Sequence, residues 1–541
     1  MSIAIYLDPP FIVWLVDRFV PVFLAVRTGE PTIVIPIFSA LKGASKMKPE
    51  FPGLSPLLLQ TDQPVPPDWD FESGSGVVLL IPDADRKAID QTPWSDILES
   101  RLSAYPKTAN PVFISMPGGE RAVVVFVADQ LQTFKALTLA RKVIGPLIAD
   151  RLEEINVLCL LDDEVAAGAM AEALLAAAHA ALFQLPKITG KASEPNNLKA
   201  MRYFGNLGNA DFGYAEATAE GNNLARWLTH LPGNYLTPGI YRDFAESLAR
   251  QEGWKTEFYD RDKLEELGAG AFLSVVEASP VRDAGILHME YRPPGAEGKP
   301  LALVGKGICF DTGGSNLKVG SSMLGMHGDM QGSAVALGAF LAITRMKFDQ
   351  PVDCWLALAE NHIGSRAVKC NDVITALDGT TIELINTDAE GRMVLSDTLA
   401  LVSRGKPRAI IDYATLTGAV VSALGQRMAG AITNRRDWVE PLIQAGERCG
   451  ERVWPFPYED DYDEDLESQV ADTQQCRTKG PGDHIYAARL LGRFVAKDIG
   501  WVHVDMASSG THPGGLAQIP TDLQGFGVRF GVEWLKKVAN E

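Results

Sequence analysis

Ile385-Asn386-Thr387-Asp388-Ala389-Glu390-Gly391-Arg392-Met393-Val394-Leu395 is the stretch on which the reading of this chain turns. Apolar Ile382, Leu384 and Ile385 lead into it, Asp388, Glu390 and Arg392 come at every second position, and an amphipathic run from Met393 to Val402 follows. The pattern predicts a strand, a tight turn and a helix start. In an extended turn, two carboxylates spaced i, i+2 can point the same way and form half a cage for a hard cation. Gly391 lets the backbone turn, and Arg392 falls beside the first free N–H groups of the helix from Met393, where an anion can rest. Taken alone, the stretch reads more simply: Asp388 caps the helix and Glu390 favours its dipole.

A second stretch shifts the balance. From Leu301 the chain reads Leu-Ala-Leu-Val-Gly-Lys-Gly-Ile-Cys-Phe-Asp-Thr-Gly-Gly-Ser-Asn-Leu-Lys, a buried-type strand running into a polar loop with Lys306, Asp311 and Lys318. Asp329 then precedes a small-residue helix, Ser333 to Thr344. Asp311, Asp329, Asp388 and Glu390 together carry four negative charges, which two divalent cations would cancel. At an effective dielectric near 20, each like-charged pair about 4 Å apart costs roughly 4 kcal/mol, so gathering these acids without metal is unfavourable. Lys306 could join as a neutral amine, because an adjacent dication and burial both lower its pKa. Lys318 would stay charged and face a developing oxyanion.

These two segments resemble the signatures of the leucyl (cytosol) aminopeptidases, dinuclear metallo-exopeptidases, and Ala359-Glu360-Asn361, Ala414 to Ala419 and His503 to Ala507 fit the same pattern. The similarity spans roughly Glu220 to Leu535. The resemblance implies that Lys306 and Asp329 bind one metal, that the side chain and main-chain oxygen of Asp388 bind the other, and that Asp311 and Glu390 touch both. Lys318 then stabilises the oxyanion, and a bicarbonate held at Arg392 and Gly391 acts as general base. Met326, Asn386, Thr415 and Leu416 match positions that shape the substrate pocket. Zinc, manganese and magnesium are all candidates for the two ions, and the resemblance implies a homohexamer acting on peptides. Departures fall around the site: His327 stands where a Lys or Arg is usual, Gln331 replaces a small residue, His362 replaces Met, and Val368 to Asp372 and the loop Ser508 to Leu516 are unfamiliar. His327, two residues from Asp329, is a candidate ligand but is expected rather to make an outer-shell hydrogen bond.

The remaining features bound the class. A chain of 541 residues, 46% hydrophobic and 22% charged, is expected to form two or more globular domains. The expected fold is α/β: a smaller N-terminal α/β domain over 1–162 with a structural or oligomeric role, a linking helix and loop over 163–213, and a larger catalytic domain over 214–541 with a mostly parallel central sheet flanked by helices. In the first domain, strands are expected at Thr32 to Phe38, Gly76 to Ile81, Ala122 to Val127 and Ile155 to Leu161, with a Pro-rich connector over Gln63 to Pro67. Asp163 to Leu185 should be a long helix and Lys187 to Gly213 a loop. A net charge of -18 argues against nucleic acid as a partner and against the alternative of a non-peptidase regulatory or DNA-binding assembly protein on the same fold. Six scattered cysteines without a C-x-x-C pair read as reduced thiols. Asp17, Arg18 and Pro21 interrupt the apolar start before it could span a membrane, so no membrane is expected and the location reads as cytoplasmic. Phe310 spoils a dinucleotide fingerprint after Gly305-x-Gly307, and there is no His-Glu-x-x-His or Gly-x-Ser-x-Gly. The acidic run Glu459 to Glu467 reads as a solvated face.

Overall fold

A computed structural model describes residues 50–63, 75–116, 120–189 and 196–541, together with the backbone of four strands nearer the start. Those strands, β1 (Ser2–Tyr6), β2 (Phe11–Val16), β3 (Phe23–Val26) and β4 (Ile33–Pro36), form an antiparallel meander within a unit spanning Met1–Glu50. The interrupting Asp17, Arg18 and Pro21 and the connector at 64–67 lie outside the described residues.

The second unit, Phe51–Glu541, holds two larger sheets. The first comprises β5 (Leu58–Gln63), β6 (Ser75–Pro82), β7 (Val112–Ser115), β8 (Arg121–Val127), β9 (Glu154–Cys159) and β10 (Ala200–Gly205), in the order β5-β10-β9-β6-β8-β7, with only β7 antiparallel. Helices α1 (Ser95–Leu102), α2 (Thr133–Ala149) and α3 (Glu164–Leu182) accompany it. Strand β10 corrects the expected loop from Lys187 to Gly213. Its residues alternate too little for a half-buried strand, but Met201 and Tyr203 are fully buried, so the sheet decides what the pattern does not. The Asp163 carboxylate accepts from the backbone N–H groups of Val165 and Ala166, at 2.9 and 3.3 Å, and starts α3. Among the described residues α3 is the one helix long and apolar enough to cross a membrane, and 78% of its apolar window is buried inside the protein.

The second sheet has eight strands: β11 (Lys255–Asp260), β12 (Gly285–Tyr291), β13 (Leu301–Asp311), β14 (Val352–Asn361), β17 (Ala409–Ala414), β18 (Ala429–Thr433), β19 (Val453–Pro455) and β21 (Gly500–Asp505). Three short strands, β15 (Val373–Thr375), β16 (Thr381–Glu383) and β20 (Thr473–Gln474), make a small separate sheet. In the order β11-β12-β14-β13-β17-β21-β18-β19, the central four strands are parallel, as expected. Helices α4 (Phe212–His230), α5 (Gln331–Arg345), α6 (Glu390–Arg404), α7 (Asp483–Gly492) and α8 (Val528–Ala539) cover the sheet.

Strand periodicity explains how two cores arise from one sheet. Leu301 and Leu303 of β13 pack into a core with Leu337, Phe340 and Leu341 of α5, whereas Ala302 and Val304 pack into another with Val394 and Leu395 of α6. The chain leaves β13 for β14 on one side and reaches β17 on the other, so β13 is a topological switch point. Its ladder with β17 stops at Gly305 opposite Tyr413, while β13 itself runs on to Asp311. A crevice opens there.

The acidic run is a 3-10 helix, Asp460–Leu466, and it is not merely solvated. Asp463 accepts two hydrogen bonds from Arg489 of α7, at 2.8 and 2.6 Å, and Asp465 accepts from the Tyr486 hydroxyl at 2.6 Å. The six cysteines are free, and only Cys370 is exposed.

Candidate metal centre

Lys306 shares its side of β13 with Ala302 and Val304 and therefore faces α6. There its Nζ lies 2.8 Å from Asp329 and 3.0 Å from Glu390, and it donates to the Thr415 carbonyl at 2.9 Å. Asp329 sits just ahead of α5, Glu390 is the first residue of α6, and Asp311 ends β13. One carboxylate oxygen from each of Asp311, Asp329 and Glu390 lies within 4.8 Å of the others, and all three residues are buried. Lys318 completes the group, 2.9 Å from Asp311 and in contact with Asp388.

The helix starts three residues earlier than the sequence pattern indicates, at Glu390 rather than Met393. Gly391 is therefore helical, and its value is close approach rather than a turn: a Cβ there would stand 2.6 Å from Cε and 2.8 Å from Nζ of Lys306. The turn itself is shaped by Asn386, whose side-chain oxygen accepts from the Asp388 N–H at 2.9 Å. Thr387 and Asn361, which the sequence does not single out for a role, lock the loops together. The Asn361 amide donates to Asp311 at 2.8 Å and to the Thr387 carbonyl at 3.1 Å, and the Thr387 hydroxyl donates to the Gly313 carbonyl at 2.7 Å.

These charges perturb one another strongly. Burial works to lower the Lys306 pKa, yet Asp329, Glu390 and Asp311 together outweigh it and hold the amine charged. Burial, reinforced by Glu390 and Asp311 and opposed by Lys306, pushes the Asp329 carboxyl well above its usual range. Lys318 is likewise held above its ordinary value, with Asp311 and Asp388 overcoming burial. Asp329 Oδ2 lies 2.8 Å from the Lys306 Nζ and Asp388 Oδ1 contacts the Lys318 Nζ, whereas Glu390 Oε2 is buried without a partner among the described residues. Buried carboxylates gathered this closely, with one oxygen wholly unpartnered, fit direct ligation of hard cations.

Arg392 points elsewhere. It is fully buried, and its two terminal nitrogens donate to the two carboxylate oxygens of Asp483 at 3.1 and 2.7 Å, while Nη1 also reaches the Gln475 carbonyl at 3.3 Å. Its Nε has no partner among the described residues. Burial opposes the Arg392 charge, but Asp483 more than compensates, and in return the guanidinium holds the Asp483 carboxyl below its usual range despite burial.

A cavity of about 490 Å³ opens over the nest. Of the four expected pocket residues, Met326, Thr415 and Leu416 line it and Asn386 does not. The Thr415 hydroxyl donates to Asp329 at 2.7 Å. His327 lines the cavity with His230, and Asp329 takes its hydrogen bonds from Lys306 and Thr415. Burial lowers the pKa of both imidazoles. Gln331, Ala507 and Gly510 also line the cavity, the last two from the chain around the unfamiliar 508–516 loop. His362 is not among the residues lining the cavity; its Nε2 lies 2.9 Å from Glu360, a bond that raises its pKa.

The model of the cytosol aminopeptidase family, catalytic domain, matches residues 223–532, more than half of the chain and all of the nest. The chain belongs to the cytosol aminopeptidase family. Members of this family are metal-dependent aminopeptidases, so this chain is a metallo-exopeptidase acting on peptides. A probable cytosol aminopeptidase of Parasynechococcus marenigrum is 40% identical over 380 residues, covering 69% of this chain and 77% of its own. One from Persephonella marina is 38% identical over 332 residues, covering 61% and 66%. A mutant of tomato leucine aminopeptidase superposes with a TM-score of 0.78 at 27% identity, covering 91% of this chain and 98% of that one. The bottromycin maturation enzyme BotP in complex with Mn gives 0.75 at 28% identity, covering 86% and 100%. The family match in this cytosol aminopeptidase covers the part that carries the carboxylates.

Proposed function

We propose that this cytosol aminopeptidase removes apolar amino-terminal residues, leucine foremost, from peptides at the nest around Lys306. The observation that carries the reading is the gathering of buried carboxylates from separate loops around two lysines, in the lining of a cavity. Lys306, giving up its proton beside the dication, and Asp329 would hold one divalent ion and Asp388 the other, with Asp311 and Glu390 serving both. Zinc, manganese or magnesium at these positions would supply a Lewis acid for the peptide carbonyl and lower the pKa of a water molecule. Lys318, tied to Asp311 and Asp388, would donate to the oxygen on which negative charge develops. Thr415 holds Asp329 and Lys306 in register through its hydroxyl and its carbonyl. Arg392 and Gly391 would carry a bicarbonate as general base, the free Nε of Arg392 being the donor left for it. Met326 and Leu416 give the first side chain an apolar wall.

On the same reading, 1–162 has a structural or oligomeric role, 163–213 links it to a catalytic domain over 214–541, and the protein works in the cytoplasm as a homohexamer. The test is hydrolysis of leucine para-nitroanilide and a Leu-Gly dipeptide by metal-loaded protein. Activity is expected to vanish with a chelator and in Asp388→Ala, and full activity in either case would contradict the reading.

A further inference from the structure

We propose that Gln331 is a specificity-determining residue that admits long first side chains ending in a hydrogen-bond donor, arginine and glutamine above all, alongside leucine. The inference rests on the aminopeptidase reading and names the substrate class of that same cavity. Gln331 opens α5 two residues after Asp329, so its side chain starts beside the nest. It is only 3% exposed, yet it lines the cavity. An amide buried to this degree needs its hydrogen bonds.

Half of that need is met. The Nε2 of Gln331 donates to the Gly510 carbonyl at 3.1 Å. Because Gly510 offers an oxygen there, the amide must turn its NH₂ that way, and Oε1 is left as an acceptor with no donor among the described residues. Gly510 also makes the room: a Cβ at that position would stand 2.2 Å from Oε1 and 3.0 Å from Cδ. The two residues therefore work as a pair, one supplying a long polar side chain and the other the space for it.

The rest of the lining suits an aliphatic stem carrying a donor. Met326, Leu416 and Ala507 would contact the apolar part, and His230 and His327 add two ring faces to the lining. Outside the carboxylate nest and Lys318, Asp522 is the one full charge among the described lining residues, and it favours a cation over an anion. A leucine side chain offers Oε1 no donor, whereas a guanidinium or amide supplies one from the substrate.

The metal-loaded enzyme is to be assayed on the para-nitroanilides of leucine, glutamine, arginine and glutamate, with inhibition by free leucine and arginine as a readout without turnover. Arginine and glutamine are expected within about threefold of leucine in kcat/KM, with glutamate at least about thirtyfold lower. In Gln331→Leu the arginine-to-leucine and glutamine-to-leucine ratios should fall by about tenfold, as befits one lost buried hydrogen bond, and Gly510→Ala should do the same by displacing the amide. Ratios that stay within about twofold of wild type in both variants, or a wild type more than about a hundredfold selective for leucine, would overturn the inference while leaving the aminopeptidase reading standing. If none of the four amides is cleaved, both fail.

Discussion

Gly391 stands where a methyl group would collide with the Lys306 side chain, 2.6 Å from Cε, and both flank the proposed cation site. Gly391→Ala should push Lys306 off that site and weaken metal binding by at least about tenfold, close to 1.4 kcal/mol, measured by calorimetric titration of the metal-free protein. Lys318 acts on the other side. Lys318→Met removes the cation beside Asp311 and Asp388, and kcat for leucine para-nitroanilide should drop by about 10²–10³, the range seen when one oxyanion donor is lost. A smaller effect on KM than on kcat would place the loss in the transition state. At this scale the sequence was readable wherever a residue's chemistry announced itself. Asp311, Asp329, Asp388 and Glu390 did so; Gly391 and Gly510 did not, because a glycine's importance lies in what its neighbours would strike.

At the scale of elements, the segment after β17 is held by Asp505 at the end of β21. Its Oδ1 accepts from the backbone N–H groups of Leu416, Thr417 and Ala507 at 3.2, 3.4 and 3.2 Å, and its Oδ2 accepts from the Thr417 hydroxyl at 2.7 Å. That carboxylate fixes the wall containing Leu416 and the start of the helix Gly418–Leu424. Asp505→Ala leaves these donors unpaired and should cost about 2–4 kcal/mol in denaturant unfolding while raising KM for the leucine substrate. Such a coupling between adjacent parallel strands is written in neither local pattern. The same holds for Arg392, whose partner Asp483 lies 91 residues on. The helix period placed Arg392 near a helix start, and only the packing of α7 against α6 supplies the acid.

For the whole molecule, His179 offers a titration that leaves the metal centre aside. It lies on α3, 3% exposed, with neither ring nitrogen hydrogen-bonded among the described residues. Burial pushes its pKa down from 6.5 to about 4. Between those values the unfolded chain takes up a proton that the folded chain refuses, so stability present above pH 6.5 is lost as pH falls toward 4, by on the order of 3 kcal/mol. His179→Leu should flatten that part of the profile. Comparing the two proteins by denaturant unfolding from pH 7 to pH 4.5 isolates the term from buried acids such as Glu451, which burial moves the opposite way to about 7. A wild-type and variant difference that stays constant over this range would show that His179 protonates freely in the fold.

The α/β class, the long helix after Asp163 and the parallel strands were legible in the sequence because apolar periodicity and helix caps are local, and each is imposed by residues within one or two turns of the chain. The four acids were legible because like charges in compact motifs demand a counter-charge. What only the tertiary structure decided is which side chains share space: β10 completing a sheet, Asp483 on Arg392, Gly391 under Lys306, and Gln331 filling the room that Gly510 leaves. These contacts join distant parts of the chain, and a one-dimensional pattern fixes the direction in which a side chain leaves its backbone but not what it meets.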